Sequence, residues 1–189
     1  SKAKDSKDIA ALTANFPDEL TSKVEKAIEE EKPLTLLAMG SSATAKGDGT
    51  WTTILQEELD KTYGDDVFHI EVKSFGEDLS IDVAQQQKYK EAIEQKPDIL
   101  LLEPFLLKDN GKVAIENSLD SVEMIINAMN EESEDTIIML QPANPIYNAV
   151  HYPEQVKALK EYAKENNIIY LDHWKNWPDQ KSEEILEYL

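Results

Sequence analysis

The sequence predicts an α/β domain, a three-layer α/β/α sandwich around a five-stranded parallel sheet, and three observations carry that prediction. Five short apolar runs recur along the 189 residues, at 34–39, 67–72, 99–102, 136–140 and 168–171. Most are continuous rather than alternating, as expected of strands covered by helices on both faces. Longer stretches with apolar residues at helical spacing separate them, so strand and helix alternate and the crossovers are right-handed.

Taken in order, a helix over about 18–30 precedes the first strand. Ile54, Leu55 and Leu59 mark the helix after strand one, and Val83, Tyr89 and Ile93 the helical stretch after strand two. Leu119, Val122, Ile125, Ile126 and Met129 precede strand four, and Val156, Leu159, Tyr162 and Ala163 precede strand five. In sheets of this kind the working loops lie beyond the carboxyl ends of the strands. That rule selects 40–50, 74–78, 103–111, 141–152 and 172–179. Residues 17–189 read as one domain, preceded by a polar segment over 1–16.

Composition bounds the function. A 41% hydrophobic chain of this length buries a sizeable core without staples. The formal charge of −19 argues against nucleic acid, which needs clustered Lys and Arg. Runs such as Glu29-Glu30-Glu31 and Glu131-Glu132 read as solvated surface. The absence of cysteine excludes disulfides and thiolate metal sites. No apolar run is long enough to span a membrane, and the polar start reads either as a frayed terminus or as the stalk left after removal of an export or anchor segment.

After strand one comes Gly40-Ser41-Ser42-Ala43-Thr44. A Ser at a strand-to-helix turn presents its hydroxyl at the open edge of the sheet, near backbone N–H groups able to stabilise an oxyanion. Gly40 permits a tight turn there. The same residues also suit an ordinary loop or helix cap. A phosphate cradle over 40–49 lacks the Gly-Lys-Ser/Thr signature and the three fingerprint glycines.

This block resembles the first block of the SGNH (GDSL-type) serine ester hydrolases, an apolar strand ending in Gly-Asp-Ser with Thr two positions on. Gly40, Ser42 and Thr44 match, and Ser41 replaces the Asp. The resemblance implies a flavodoxin-like SGNH fold, Ser42 as nucleophile, and Ser41 beside it facing the substrate. It implies that the Gly76 amide helps to build the oxyanion hole. The family's Gly-x-Asn-Asp block corresponds to the stretch from Glu103 to Gly111, and a surface-associated bacterial subset carries an Asn where this chain carries Lys108. Either Asn110 supplies the amide, or Lys108 contributes a cation to an altered hole; Asp109 to Gly111 also reads as a plain turn. Asn144, in the Pro-punctuated loop after strand four, is expected on a substrate wall. Trp174 and Trp177 either line an apolar acyl or sugar pocket or cover the edge of the core.

Ester hydrolysis through Ser needs a base, normally a His held by a carboxylate. The family draws both from one Asp-x-x-His segment near its carboxyl end, after the fifth strand; residues 172–189 carry no such segment, and none of the three histidines stands in that setting. Three explanations stand: the segment lies beyond this sequence, another His serves, or the fold is kept without turnover. The first is the expectation. His173 is the replacement candidate, ahead of His151, while His69 inside strand two is expected to be structural.

The implied reaction is hydrolysis of a carboxylic ester, an O-acetyl group on a cell-surface glycan or a lipid acyl ester, without metal or cofactor. The alternative is a non-catalytic module that holds a glycan or peptide in the same cleft, and a third reading, a flavodoxin-like cofactor binder, predicts a bound chromophore or nucleotide. Resemblance to anchored bacterial members places the protein outside the cell or on its surface, with the cytoplasm left open.

Overall fold

The computed structural model of the chain describes residues 13, 14 and 16–189. Five strands form a single parallel sheet: β1 (Leu34–Gly40), β2 (Phe68–Ser74), β3 (Ile99–Leu102), β4 (Ile137–Leu140) and β5 (Ile169–Tyr170). Their spatial order is β2-β1-β3-β4-β5. The helices are α1 (Asp18–Glu29), α2 (Trp51–Tyr63), α3 (Ser80–Gln85), α4 (Lys90–Ile93), α5 (Leu106–Asp109), α6 (Ile115–Glu132) and α7 (Tyr152–Glu165).

Side chains alternate across a strand, so each central strand feeds two layers. Leu34, Leu36, Ala38, Ile99, Leu101, Ile137 and Met139 face α1 and α2, packing with Leu20, Val24 and Tyr63. Leu37, Met39, Leu100, Leu102 and Leu140 face α3 to α7, packing with Val83, Ile93, Ile125, Met129, Tyr152 and Leu159. Each buried Leu, Ile, Val or Met among them contributes about 1.5–3 kcal/mol by leaving water, and the requirement to cover both faces explains the continuous apolar runs. The expected sandwich and its five strands are therefore present.

Three local differences have plain causes. β2 is an edge strand with one helix-covered face, so Phe68 is buried while His69 is exposed on the opposite side. His69, expected to be structural, is exposed and among the described residues reaches only Glu71, at 3.8 Å. Ile54 is exposed because α2 turns Leu55, Leu59 and Tyr63 inward instead. The helical stretch after strand two is split into α3 and α4 by Gln87, whose φ of +51° interrupts the helix.

The polar segment over 1–16 lies outside the described residues up to 12 and at 15. Thr13 is buried and the Phe16 ring lies 6.1 Å from that of Tyr63, so the packing of the domain reaches into that segment. Among the described residues no helix is long and apolar enough to cross a membrane.

The chain leaves β1 toward β2 through α2 on one face, then returns to β3 through α3 and α4 on the other. The carboxyl ends of β1 and β3 thus flank the point where the direction of strand addition reverses, the place where open α/β sheets leave a crevice.

Candidate functional site

Ser42 is the second residue past β1, with an exposed side chain at that crevice. Its Oγ donates to Glu77 Oε1 at 2.8 Å, and Lys108 Nζ donates to the same oxygen at 2.8 Å. Lys108 also lies 2.8 Å from Glu77 Oε2. The hydrogen bond from Lys108 first, and that from Ser42 second, hold the Glu77 carboxyl below its ordinary range. Glu77 is accordingly ionised at neutral pH, a weak base for a serine proton.

Beneath the exposed serine lies a buried scaffold. Ser41, expected to face substrate, is instead fully buried. Its Oγ donates to Glu103 Oε1 at 2.6 Å, its N–H reaches the same oxygen at 3.1 Å, and Thr44 Oγ1 does so at 3.2 Å. A turn over Ser41 to Thr44, closed by the Thr44 N–H donating to Ser41 O at 2.9 Å, leaves Ser41 facing in and Ser42 facing out. Glu103 follows β3 directly, so the loop after one strand is fastened to the end of the next. Gly40 is required there by space rather than by backbone angle. A Cβ on it would meet Thr44 Oγ1 at 2.7 Å and the Glu103 carbonyl at 2.8 Å. Trp51 and Thr52, opening α2, secure the rest of the loop through Ala43 O at 2.9 Å and Ala45 O at 2.6 Å.

Burial pushes the Glu103 carboxyl up from 4.5 to about 8, against the opposing pull of its Ser41 and Thr44 bonds. Its Oε2 has no hydrogen-bond partner among the described residues. A neutral acid is the form that such a site tolerates. Between pH 4.5 and 8 the folded chain keeps this proton while the unfolded chain releases it. The folded state therefore binds more protons, and raising pH across that window favours unfolding. Thermal melts are expected to show the Tm of the natural sequence falling relative to Glu103→Gln from pH 4.5 to 8, with the difference constant above it. A constant difference throughout would show that Glu103 does not titrate in this way.

The amides expected to form the oxyanion hole are engaged elsewhere. The Ser42 N–H donates to Gly76 O at 2.8 Å, and the Gly76 N–H leans toward Ser74 Oγ at 3.3 Å. Gly76 adopts φ +59°, the left-handed turn that aims its carbonyl, not its amide, at the serine. Asp109, in the stretch that also read as a plain turn, is fully buried, its carboxylate accepting from Ser80 N at 2.9 Å and Ser118 Oγ at 2.6 Å. That anchor fixes α5 and so fixes Lys108, while Asn110 follows the helix with its carboxamide making no hydrogen bond to described residues.

Ala43, the residue after the serine, opens on a cleft of about 320 Å³ walled also by Trp51, Pro142, Asn144, His173 and Trp177 and reaching Glu103; Ser42 itself is not part of its lining. Asn144 lines this cleft, its Nδ2 donating to Pro145 O at 3.2 Å. Trp174 caps the core instead, 5.5 Å from the Tyr152 ring and donating to Ala143 O at 2.8 Å, and it lines a separate outer groove. Trp177 and Trp51 are the indoles in the cleft. His173 also lines the cleft, but both ring nitrogens are committed. Nδ1 accepts from Trp177 Nε1 at 3.1 Å, leaving Nε2 to carry the proton and donate to Pro142 O at 2.7 Å. The imidazole thus makes no bond to Ser42 and has no lone pair to offer in this arrangement. His151, at the start of α7, is exposed.

Glu77 and Glu103 were not singled out from the sequence. A carboxylate set directly after four wholly buried residues, Ile99 to Leu102, was the signal for Glu103. Glu77 gave none, because its importance arises from a meeting with residues 35 and 31 positions away.

Among solved structures the chain resembles a G-D-S-L family protein from Desulfitobacterium hafniense DCB-2 (22% identity, TM-score 0.58, covering 77% of this chain and 80% of that one). A GDSL-like protein from Parabacteroides merdae ATCC 43184 gives 14% identity and a TM-score of 0.62 over 75% and 78%. The acetyl xylan esterase AlAXEase gives 15% and 0.58 over 76% and 79%. No family model and no curated protein matches the sequence. At these identities the likeness establishes the fold, and the fold is the one implied by the sequence block around Ser42.

Proposed function

We propose that the protein is a serine ester hydrolase of the SGNH/GDSL type, with Ser42 as nucleophile. The carrying observation is an exposed serine hydroxyl just past the carboxyl end of β1, at the switch point, with the next residue, Ala43, on the wall of a cleft lined by indoles. The match of Gly40, Ser42 and Thr44 to the family's first block supports it, as does a fold shared with an acetyl xylan esterase. Fold by itself does not fix function; the residues of the site do.

The reaction runs through two acyl transfers. Ser42 Oγ gives its proton to a base and attacks the ester carbonyl carbon, moving the carbonyl π electrons onto oxygen. Collapse of that oxyanion expels the alcohol, which takes the proton, and leaves an acyl-Ser42. Water, deprotonated by the same base, then releases the carboxylic acid and restores the serine. A cleft of about 320 Å³ suits a short acyl group, such as O-acetyl on a glycan. The bacterial extracellular or surface setting belongs to the same proposal.

Among the described residues no imidazole bonds Ser42. We propose that the base is a His held by a carboxylate that residues 1–189 do not supply in this arrangement. The experiment compares hydrolysis of p-nitrophenyl acetate by residues 1–189 and by the longest natural form of the protein. The longer form is expected to exceed the shorter by about 10³-fold or more, the scale of losing a triad base. Equal rates would remove the assigned base, and silence in both would favour the glycan- or peptide-binding module. The observation that favours that second reading is the hydroxyl of Ser42 held by an ionised carboxylate.

A further inference from the structure

A productive serine hydrolase site has one position about 3 Å from both the nucleophile and the group that stabilises the developing oxyanion. Such a position exists here, and a side chain fills it. Glu77 Oε1 lies 2.8 Å from Ser42 Oγ and 2.8 Å from Lys108 Nζ. The backbone amides that would otherwise do this work are turned to Gly76 O and Ser74 Oγ.

The two members of the ion pair are held very differently. Lys108 is 18% exposed and rides on α5, which is fixed by buried Leu106 and by the doubly bonded Asp109 carboxylate. Glu77 is 76% exposed on the turn after β2. The cation is built into the scaffold, and the carboxylate is able to leave.

The geometry points to Glu77 as a resident plug in the oxyanion site and to Lys108 as the catalytic residue that receives the ester oxygen when the plug swings out. This inference rests on the hydrolase reading and deepens it. An exposed ion pair holds weakly, so substrate displaces Glu77 at little cost. An oxygen gaining full negative charge in the transition state then interacts with Lys108 more strongly than the neutral ester did, which is the condition for catalysis rather than mere binding. The carbonyl electrons move to that oxygen and return on collapse, and Lys108 keeps its proton throughout.

The test uses the longest natural form with p-nitrophenyl acetate, together with labelling of Ser42 by a fluorophosphonate. Lys108→Ala is expected to lower kcat by about 10²-fold with a small change in KM, the pattern of an interaction made in the transition state. Glu77→Ala is expected to raise kcat/KM about two- to fivefold, the scale of a lost surface ion pair. The double variant should follow Lys108→Ala. In the structure of the phosphonylated protein, the phosphonyl oxygen should lie within hydrogen-bond reach of Lys108 Nζ with Glu77 withdrawn. If Glu77→Ala instead loses as much as removal of the nucleophile while Lys108→Ala stays active, Glu77 is the base and the inference is overturned. It is also overturned if Glu77 keeps its bond to Lys108 in the adduct. A natural sequence that neither turns over nor labels removes the hydrolase reading together with this one, so the two failures are distinguishable.

Discussion

Ser42→Ala is expected to reduce ester hydrolysis by about 10⁴-fold or more in the longest natural form, with the fold left intact. The rate estimate follows from the loss of nucleophiles in acyl-transfer enzymes, where binding and oxyanion contacts alone leave a small residual rate. The stability estimate follows from position. Ser42 is exposed, and among the described residues its hydroxyl bonds only Glu77, itself in water. Its loss should shift stability by about 0.5 kcal/mol or less. Steady-state hydrolysis beside a thermal melt separates the two effects. Activity that survives the substitution would remove the nucleophile assignment, whereas a collapsed melt would mean that the serine does structural work not evident from its contacts.

Gly40→Ala, two residues earlier, should behave in the opposite way. Its Cβ would lie 2.7 Å from Thr44 Oγ1, 2.8 Å from the Glu103 carbonyl and 2.9 Å from Glu103 Cβ. Two of these atoms belong to a buried residue at the end of β3 and cannot yield without moving the strand. Overpacking of this kind costs about 3 kcal/mol. It would also shift the Ser41–Glu103–Thr44 network on which Ser42 stands, so stability and activity should fall together. Chemical denaturation measures the first and fluorophosphonate labelling the second. A stability change below about 0.5 kcal/mol would show that the β1–β3 junction has room that the geometry denies.

The two substitutions divide the loop into a reacting layer and a supporting layer. Ser42, Glu77 and Lys108 meet in or near solvent, where side chains exchange partners at small cost. Ser41, Thr44 and Glu103 meet in the interior, where an unpaired polar atom is expensive and geometry is fixed. A proton on Glu103 belongs to that second layer, which is why its titration should register in stability before activity.

The fold was legible from the sequence because the information is repeated. Five apolar runs and four amphipathic stretches each state the same two-faced burial, and an error at Ile54 or in the length of β5 does not alter the whole. The nucleophile loop was legible because strand end, glycine and serine are adjacent in sequence. Gly40 was singled out correctly but for its backbone freedom, whereas the need is for space against Glu103, a residue 63 positions away.

What the sequence by itself determined, then, is the sandwich, the order of its elements and the loop that carries Ser42, all set by local periodicity and by neighbours in the chain. Only the tertiary structure decided that Ser41 turns inward to Glu103, that Gly76 offers a carbonyl instead of an amide, that the His173 ring is spent on Pro142 and Trp177, and that Glu77 lies between Ser42 and Lys108. Those outcomes depend on register between strands and on the direction of single side chains at strand ends. Hydrophobic patterning constrains neither, because past the last strand residue no buried face dictates where a polar side chain must point.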